Sequence, residues 1–434
     1  MAKIVIIGAG SGFGQRLSLD IMAYPELQDG TISLVDINQK HLDPVVEFVK
    51  KAAEVNNLPT KVEGAVDRKD VMEGADYVIT AISVGGPAYD GIPYYHEIMI
   101  PRSYGVDQSV ADTVSPGGIF RTLRTAPVML EICQDVKKMC PDALVLNYTN
   151  PMAMLCWILN DATGVKLLGL CHSVQGTSHQ LASYIGKPYN EISYWVAGIN
   201  HMAWFLRFYW KGKDAYPLLR EAMENPDIYA RDKVRFDIFR HFDSFVTESS
   251  THMSEYVPYY RKDEETKKEF GLGCRTPNKE SPSDGGWQRR SEEMQKQISG
   301  EKPIELHKSN EYASSIIYAC ETNNPVRING NVMNNGIITN LPSDCCVEVP
   351  CLIDNTGVRP CFVGEIPTQL AGLNNSNIVV QALTAQAVLE RDLRKAYYAL
   401  LLDPITSAVC TTAQIKKMFD EMVDAEGDLL AYMK

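Results

Sequence analysis

The stretch that decides the fold lies at residues 4–14 and reads Ile4-Val5-Ile6-Ile7-Gly8-Ala9-Gly10-Ser11-Gly12-Phe13-Gly14. Its first four residues are apolar and β-branched, which is typical of a strand buried on both faces of a sheet. The glycines allow a tight turn, and a helical pattern follows through about Ile21. A helix that begins at such a turn offers free N–H groups and a partial positive charge to an anion. The stretch therefore predicts a phosphate-binding turn in a parallel α/β sheet.

The candidate cofactor site continues at the end of the second predicted strand. Asp36 follows Thr31–Val35 and is placed to accept hydrogen bonds from the adenosine ribose hydroxyls, which favours NAD over NADP. The usual fingerprint has a third glycine at the position of Phe13, so we expect the phosphate approach to be kept and the helix to pack differently. A glycine turn without a cofactor is the alternative, and the combination of strand, turn, helix and acid disfavours it. The predicted NAD-binding residues are Gly8, Gly10, Ser11, Gly12, Phe13 and Asp36.

Apolar runs alternate with helical patterns through the first part of the chain. This alternation predicts an α/β fold with a Rossmann-like, doubly wound parallel sheet. We expect the NAD-binding domain in residues 1–195, in the layout of the lactate and malate dehydrogenases. The predicted strands are Ile4–Ile7, Thr31–Val35, Asp76–Ala81, Leu144–Asn147 and Lys166–Leu170.

The pattern changes after about residue 195, where long mixed helical stretches prevail. They predict an α+β domain in residues 196–434 for substrate, metal and oligomerisation, with a helical region from about Asn377 onward. The polar stretch Arg261–Asn310 contains several glycines and prolines, and it is either a mobile lid or a surface excursion. Three further strands are expected, at Val326–Asn331, Gly336–Ile338 and Val347–Leu352.

The composition is that of a soluble globular protein, with 45% hydrophobic and 22% charged residues in 434. A formal net charge of −12 opposes binding to nucleic acid or to an anionic membrane through long-range repulsion. The apolar runs are far shorter than the ~20 residues that span a bilayer, and no signal peptide precedes the first strand. Eleven cysteines without a framework spacing indicate free thiols, so we expect a cytoplasmic protein.

One cysteine and one histidine form a candidate metal site. Cys171 follows the predicted strand Lys166–Leu170, at the edge where open α/β sheets bind ligands. His201 lies thirty residues beyond it (201 − 171). Alone, a cysteine is more often a small apolar residue and a histidine more often a satisfied polar one. The pair gains weight only when it is considered beside the predicted cofactor site and the rest of the sequence pattern.

Six short stretches carry a resemblance to a known family. They are Ile7–Ser11 (IGAGS), Asn147–Met152 (NYTNPM), Gly169–Gln175 (GLCHSVQ), Gly198–Met202 (GINHM), Val246–Tyr256 (VTESSTHMSEY) and Cys345–Val349 (CCVEV). Over essentially its full length the chain resembles glycoside hydrolase family 4, the NAD- and manganese-dependent glycosidases. Several of the stretches are most similar to the α-galactosidase branch of that family. Its NAD-dependent members act outside the usual scheme of two catalytic carboxylates.

The resemblance implies roles for five residues. Cys171 and His201 match the family's metal ligands, usually to manganese, and the metal also takes the C2 and C3 oxygens of the sugar. Asn150 matches an asparagine that contacts the sugar near those hydroxyls. Tyr256 matches the tyrosine proposed as general base. His172 either assists departure of the leaving group or orients a neighbouring group, and both roles stay open.

The resemblance also implies the reaction, which is cleavage of an α-glycoside by transient oxidation. NAD oxidises the sugar at C3, a base removes the C2 proton, the leaving group departs by elimination, water adds, and the hydride returns. The metal stabilises the developing enediolate. An α-galactoside is the first expected substrate; α-glucosides, α-galacturonides or glucuronides, and 6-phosphoglycosides are the alternatives. Family members are commonly homodimers or homotetramers.

Three other interpretations stay open from the sequence. A 2-hydroxy-acid dehydrogenase shares the domain layout, but it needs a histidine–aspartate relay and no metal. A cofactor-binding regulator would have lost catalysis, and a two-carboxylate hydrolase would use Glu248 and Glu255, seven positions apart (255 − 248).

An acidic group at C6 of the sugar would need a cationic clamp. The candidates, which are otherwise ordinary surface cations, are Arg121, Arg124, Arg289 and Arg290.

Overall fold

The computed structural model describes residues 1–85, 89–279 and 285–433. The strands in this part of the chain are β1 (Lys3–Ile7), β2 (Thr31–Val35), β3 (Lys61–Ala65), β4 (Tyr77–Thr80), β5 (Leu144–Asn147), β6 (Lys166–Gly169), β7 (Ile192–Ile199), β8 (Met202–Trp210), β9 (Lys213–Asp214), β10 (Val326–Met333), β11 (Cys346–Asp354) and β12 (Gly357–Pro360). They form one mixed sheet in the order β3-β2-β1-β4-β5-β6-β10-β11-β7-β8-β9, with β12 paired to β11.

The first half of the sheet is parallel, from β3 to β6. Its order, β3-β2-β1-β4-β5-β6, is that of a doubly wound dinucleotide-binding sheet. The order in which the chain adds strands reverses between β1 and β4, although all six strands are parallel. Every residue of β4 is buried, as is all but the first residue of β1 and of β2. The predicted fold class is therefore confirmed. The strand β3 was not predicted, because its sequence KVEGA contains no apolar run.

The second half of the sheet is antiparallel and contains a long hairpin of β7 and β8. Our expectation of helical stretches directly after residue 195 is wrong here. The first four residues of β8 are all buried, because both faces of the hairpin are covered. Burial on both faces removes the alternation of apolar and polar residues that marks a strand in the sequence. Asn200 and His201 are the two residues of the hairpin turn.

Helices account for much of the remaining described chain. They are α1 (Gly12–Met22), α2 (Gln39–Val55), α3 (Lys69–Met72), α4 (Tyr94–Ser103), α5 (Ser115–Met139), α6 (Met152–Thr163), α7 (Ser173–Tyr184), α8 (Tyr216–Met223), α9 (Pro226–Tyr229), α10 (Lys233–Phe242), α11 (Ser250–Met253), α12 (Glu264–Phe270), α13 (Gly285–Ile298), α14 (Tyr312–Thr322), α15 (Thr368–Glu390), α16 (Leu393–Leu402), α17 (Pro404–Val409) and α18 (Thr412–Glu426), with 3₁₀ turns at Pro25–Leu27, Tyr189–Glu191 and Gly427–Met433. The long helix α15 packs against α5, α6 and α16, so the C-terminal region covers part of the parallel half. None of the described helices is long and apolar enough to cross a membrane.

Three expectations for the C-terminal half differ from the structure or lie partly outside it. Gly336–Ile338 is not a regular strand, because Asn335 and Gly336 have φ values of +43° and +83°, which a strand does not allow. Of the three residues, Ile338 makes an isolated β-bridge with Gly364. The terminal helical region begins at Thr368 instead of near Asn377. The stretch expected as a lid or excursion contains α12 and α13, and α13 packs against α2; residues 280–284 of it lie outside the described chain.

The proposed domain division at residues 195 and 196 stays a prediction. It falls inside β7, and the sheet continues across it through the pairs β6–β10 and β11–β7. Buried apolar side chains of both halves form one large core, and a smaller cluster rich in phenylalanine lies around β8 and α10. The continuous sheet places the carboxyl end of β6 and the β7–β8 turn on the same side of the molecule, where the candidate site lies.

Candidate functional site

The glycine turn lies between β1 and α1, at the carboxyl edge of the parallel strands. Gly8 has a φ of +89°, and a Cβ at this position would lie 2.2 Å from the carbonyl oxygen of Ala81, so only glycine fits. Ser11 begins α1 as its N-cap. Its Oγ accepts the N–H of Phe13 at 3.3 Å and donates to the carbonyl of Gly8 at 2.7 Å. The turn is thereby held in the shape that a phosphate-binding loop requires.

The close approach between helix and turn occurs one residue later than in the usual fingerprint. A Cβ at Gly14 would lie 2.0 Å from the carbonyl oxygen of Ala9, so Gly14 allows α1 to pack onto the turn. The side chain of Phe13 packs beside Tyr148, with ring centroids 5.0 Å apart. The position of the missing third glycine is therefore filled by an aromatic contact.

Asp36 holds the turn from the side of β2. Its Oδ2 accepts the N–H of Gly10 at 2.9 Å, and its Oδ1 accepts the N–H of Asn38 at 2.9 Å. A Cβ at Gly10 would lie 2.7 Å from the same carboxylate. Each carboxylate oxygen has a further lone pair for a ribose hydroxyl. The turn and its acid therefore fit a dinucleotide, with an uncrowded backbone for the phosphates and an acceptor for the ribose.

Cys171 lies between the end of β6 and the start of α7. Its Sγ accepts a hydrogen bond from the backbone N–H of Ser173 at 3.5 Å and lies 3.3 Å from the Oγ of that serine. The thiolate is the form of cysteine that binds metals. The partly buried side chain points toward the β7–β8 turn, because it contacts His201 there.

His201 occupies the β7–β8 turn with a φ of +63°, which is uncommon for a residue other than glycine and occurs mainly where the surrounding structure holds it. Its Nε2 lies 3.2 Å from the Sγ of Cys171. The structure thus brings together the two residues that were predicted as metal ligands, although thirty positions separate them.

Glu248 is a third candidate ligand, which the sequence alone marked as half of a possible pair of catalytic carboxylates. The preceding segment is bridged to β8 through Trp204 and Val246, and this places the Oε2 of Glu248 3.5 Å from the Nε2 of His201. One donor atom each from Cys171, His201 and Glu248 lie within 4.8 Å of one another. Thiolate, imidazole and carboxylate together suit a divalent transition metal such as manganese, iron, cobalt or zinc.

The charges of this cluster favour a cation. Burial lowers the pKa of His201, but the negative charges of Cys171 and Glu248 outweigh burial and raise this pKa to about 10. Burial raises the pKa of Glu248, but the charges of His201 and His252 hold it well below the ordinary value. A proton on His201 therefore supplies part of the positive charge that a divalent metal would supply. The residues present fit such a metal.

Tyr256 lies directly behind His201. Its hydroxyl is 3.2 Å from the Nδ1 of His201, and its side chain is fully buried. Burial and the negative charges of Asp112 and Glu248 raise the pKa of Tyr256 well above the usual value. The tyrosine is therefore neutral in this structure, and it needs added positive charge nearby before it can act as a base at neutral pH.

Asn150 contacts an acid that no sequence pattern had marked. Its Nδ2 donates to the Oδ2 of Asp112 at 3.0 Å, and the hydroxyl of Tyr89 donates to the same oxygen at 3.0 Å. Burial raises the pKa of Asp112, but the positive charges of His252 and Arg121 lower it below the usual value. Asp112 is therefore an ionised carboxylate beside the predicted sugar-binding asparagine.

His252 connects the two parts of the site. Its Nε2 lies 3.6 Å from carboxylate oxygens of both Asp112 and Glu255, and its Nδ1 lies 3.8 Å from Glu248. The second oxygen of Glu255 accepts backbone N–H groups of residues 109–110. His252 and two of these acids belong to the stretch VTESSTHMSEY, so the family motif was the signal that marked this region, although the role of His252 was not predicted.

His172 is exposed at the N-cap of α7, directly beside Cys171. The position agrees with either of its two predicted roles and does not distinguish between them. Arg124 is different, because its guanidinium makes hydrogen bonds of 2.6 and 3.0 Å to both carboxylate oxygens of Glu97, and both side chains are buried. Arg124 is therefore committed to an internal ion pair and not to a substrate anion.

Comparison with known proteins gives full-length matches to curated glycosidases. The chain is 40% identical to an α-galactosidase of Bacillus subtilis, over all of both chains. It is 36% identical to an α-galactosidase of Rhizobium meliloti, over 99% of this chain and 89% of the other.

Solved structures match the fold equally completely. The crystal structure of the Bacillus subtilis protein lplD superposes with a TM-score of 0.82 at 27% identity, over 97% of this chain and 99% of the other. A 6-phospho-α-glucosidase from gut microorganisms, solved in complex with NAD and Mn²⁺, superposes with a TM-score of 0.80 at 20% identity, over 99% of this chain and 98% of the other.

Two family models cover most of the chain. The model of the family 4 glycosyl hydrolases matches residues 3–187, and the model of their C-terminal domain matches residues 196–406. The predicted family and the predicted enzyme class are confirmed. The protein is a glycoside hydrolase and belongs to glycosyl hydrolase family 4.

Proposed function

We propose that this enzyme cleaves α-galactosides with NAD and a divalent metal, of which manganese is the first candidate. The identity of 40% over the full length with an α-galactosidase is the observation that carries the substrate. The cluster of Cys171, His201 and Glu248, within 4.8 Å, supports the metal. The turn beside Asp36, in which only glycine fits at position 8, supports NAD. A structural relative of the same fold was solved with NAD and Mn²⁺.

The proposed roles of the site residues follow from their positions. When bound, NAD supplies a hydride acceptor for C3 of the sugar, and the metal supplies positive charge beside the C2 and C3 oxygens. Cys171, His201 and Glu248 would hold the metal. Asn150 and the ionised Asp112 form a hydrogen-bonded pair that orients sugar hydroxyls. His172 remains the candidate for assistance at the leaving group or for orientation of its neighbours.

Tyr256 is the proposed base for the C2 proton. Its hydroxyl is hydrogen-bonded to the Nδ1 of His201, whose Nε2 faces Cys171. A metal held by His201 would therefore act on the tyrosine through one imidazole. Positive charge there lowers the pKa of a phenol that burial and the surrounding acids otherwise raise. A histidine that binds metal through Nε2 is neutral and keeps its ring proton on Nδ1. In His201 that proton would lie on Nδ1 or be shared with the phenol oxygen of Tyr256.

The test of this proposal is hydrolysis of a panel of glycosides by the purified enzyme. The panel contains aryl and natural α-galactosides, α-glucosides, α-galacturonides, α-glucuronides and 6-phosphoglycosides, each with and without NAD, Mn²⁺ and reductant. We expect fastest cleavage of α-galactosides, a requirement for NAD and metal, and no accumulation of NADH. Cleavage that is indifferent to NAD would contradict the mechanism, and a preference for uronides or 6-phosphates would contradict the proposed substrate.

Glu248 provides a separate prediction about the metal. The substitution Glu248→Gln removes the carboxylate charge and should weaken Mn²⁺ binding by at least roughly tenfold, a loss seen even for residues that only support a ligand. The signal of free Mn²⁺ in electron paramagnetic resonance measures the affinity directly. Glu265→Gln, at an exposed position of α12, is the matched control. Equal Mn²⁺ affinity in the Glu248 variant and the control would remove Glu248 from the ligand set.

Location and assembly complete the proposal. A cytoplasmic enzyme agrees with eleven free cysteines, since cytoplasmic thiols stay reduced. A homodimer or homotetramer is the proposed assembly, on the ground of the family resemblance. Size-exclusion chromatography with light scattering tests this assignment, and a monomer at micromolar concentration would contradict it.

A further inference from the structure

Helix α13 comes from the C-terminal half of the chain but lies over the dinucleotide turn. It packs against α2, and its side chain Trp287 stacks on His41 near the start of α2, with ring centroids 4.3 Å apart and planes inclined by 29°. His41 in turn adjoins the turn, because a Cβ at Gly10 would lie 2.7 Å from the Cβ of His41. Trp287 therefore lies close to the Asp36 side of the cofactor site.

Arg290 lies on the same face of α13, one turn beyond Trp287. Positions 287, 290 and 294 share one side of a helix, and the buried Met294 fixes that side toward the protein. The nearest atoms to a Cβ placed on Gly12 would be the terminal nitrogen, Cδ and Cζ of Arg290, at 3.8–4.0 Å. The guanidinium therefore lies beside the first residue of α1, within reach of an anion bound at the turn.

The segment after α13 is tied to the dinucleotide domain by hydrogen bonds. The side chain of Asn56 donates to the carbonyl of Ile304 at 3.3 Å, and the N–H of Ser309 donates to Asp20 at 2.8 Å. These contacts anchor the end of the segment on α1 and α2. Arg290 is thus held near the turn by the fold, although its own side chain is exposed.

The positive charge of Arg290 is not balanced by a carboxylate in the described part of the chain. Arg16, one turn along α1, is paired with Glu311 at 3.2 Å, whereas no carboxylate pairs with Arg290 among the described residues. Partial loss of hydration of the guanidinium and the positive charge of Arg16 both lower the pKa of Arg290. Two guanidinium groups close together repel, and an anion between them and the helix N-terminus would relieve the repulsion.

We propose that Arg290 is a further cofactor-binding residue. Its guanidinium contacts the pyrophosphate of NAD from α13, while the glycine turn contacts the pyrophosphate from the other side. This inference rests on the proposed use of NAD. It adds a cation from the C-terminal half to a site otherwise formed by β1, α1 and β2. Arginine suits the task because its planar guanidinium donates two parallel hydrogen bonds to phosphate oxygens.

The test is isothermal titration of the purified enzyme with NAD, ADP-ribose and adenosine. In Arg290→Ala we expect the Kd of NAD and of ADP-ribose to rise roughly tenfold or more, the effect of losing hydrogen bonds to a charged group. Adenosine lacks the pyrophosphate, so its Kd should stay the same. The Kd of NAD should also depend less steeply on salt concentration in this variant than in the wild type.

Arg289→Ala is the matched control, because it removes the same charge from the neighbouring position on a different side of the helix. Quenching of Trp287 fluorescence by NAD, absent in Trp287→Phe, gives an independent readout of binding at α13. If wild-type enzyme binds NAD and Arg290→Ala binds it equally well, this inference is overturned and the proposed function stands. If the wild type binds no NAD, the proposed function fails together with the inference.

Discussion

Replacement of Cys171 by serine is expected to lower kcat/KM for the preferred α-galactoside by roughly three orders of magnitude or more. A bound metal typically supplies several kcal/mol of transition-state stabilisation, and a neutral serine hydroxyl is a poor substitute for a thiolate ligand. The Kd of NAD should remain within about twofold of the wild type, because the turn from Gly8 to Ser11 is formed by other strands and loops. Initial rates with saturating Mn²⁺ and calorimetric titration with NAD measure the two effects.

Cys361→Ser is the control for this prediction. Cys361 is another partly buried free cysteine, which follows β12, and its loss should leave activity and Mn²⁺ affinity unchanged. Full activity of Cys171→Ser in the presence of metal would exclude the proposed ligand. Loss of NAD binding together with activity would show instead that the substitution disturbs the fold around β6.

Tyr256→Phe is expected to lower kcat by roughly 10²–10⁴-fold, the usual contribution of a positioned acid or base. Phenylalanine keeps the buried ring and removes only the hydroxyl that contacts His201, so binding of NAD and Mn²⁺ should persist. The defect should be specific to the C2 proton. Exchange of the sugar C2 hydrogen with D₂O, followed by NMR, should slow by the same factor as hydrolysis.

A second buried tyrosine gives the matched comparison. Tyr260 donates its hydroxyl to Asp237 at 3.0 Å, and its side chain is 3% exposed. Tyr260→Phe therefore removes a similar hydrogen bond, which costs about 1 kcal/mol of stability, without touching the metal cluster. A Tyr256→Phe enzyme that exchanges the C2 hydrogen at the wild-type rate would assign the base to another residue.

The parallel half of the fold could be predicted from local sequence because its strands are buried on both faces. Such strands appear as short apolar runs, and Ile4–Ile7 with its glycine turn is the clearest example. The hairpin β7–β8 was missed for a related reason, because covered faces leave no alternation of polar and apolar residues. Gly336–Ile338 was predicted as a strand, but the positive φ of Gly336 forms a turn there, and Ile338 makes only an isolated bridge.

The candidate site could be predicted only in part, because its residues come from separate segments that the fold brings together. Cys171 and His201 were a weak candidate pair from their residue types, the family resemblance made them expected metal ligands, and the structure places them 3.2 Å apart. Asp112 lies in a loop without any periodic pattern, and its contact with Asn150 depends on the packing of that loop. Glu248 lies next to His201 only because a bridge to β8 places it there. Such contacts are set by tertiary structure and leave no mark in a single sequence.

The continuous sheet has a consequence for how a sugar enters the enzyme. Many two-domain enzymes open and close by rotating one domain about a hinge. Here β6 pairs with β10 and β11 pairs with β7, so such a rotation would break backbone hydrogen bonds inside the sheet. We therefore expect that access to Cys171 and His201 depends on the loops and short helices at the sheet's edge. The rate of product release should accordingly change when residues in those loops are substituted. It should not depend on a rotation of whole domains.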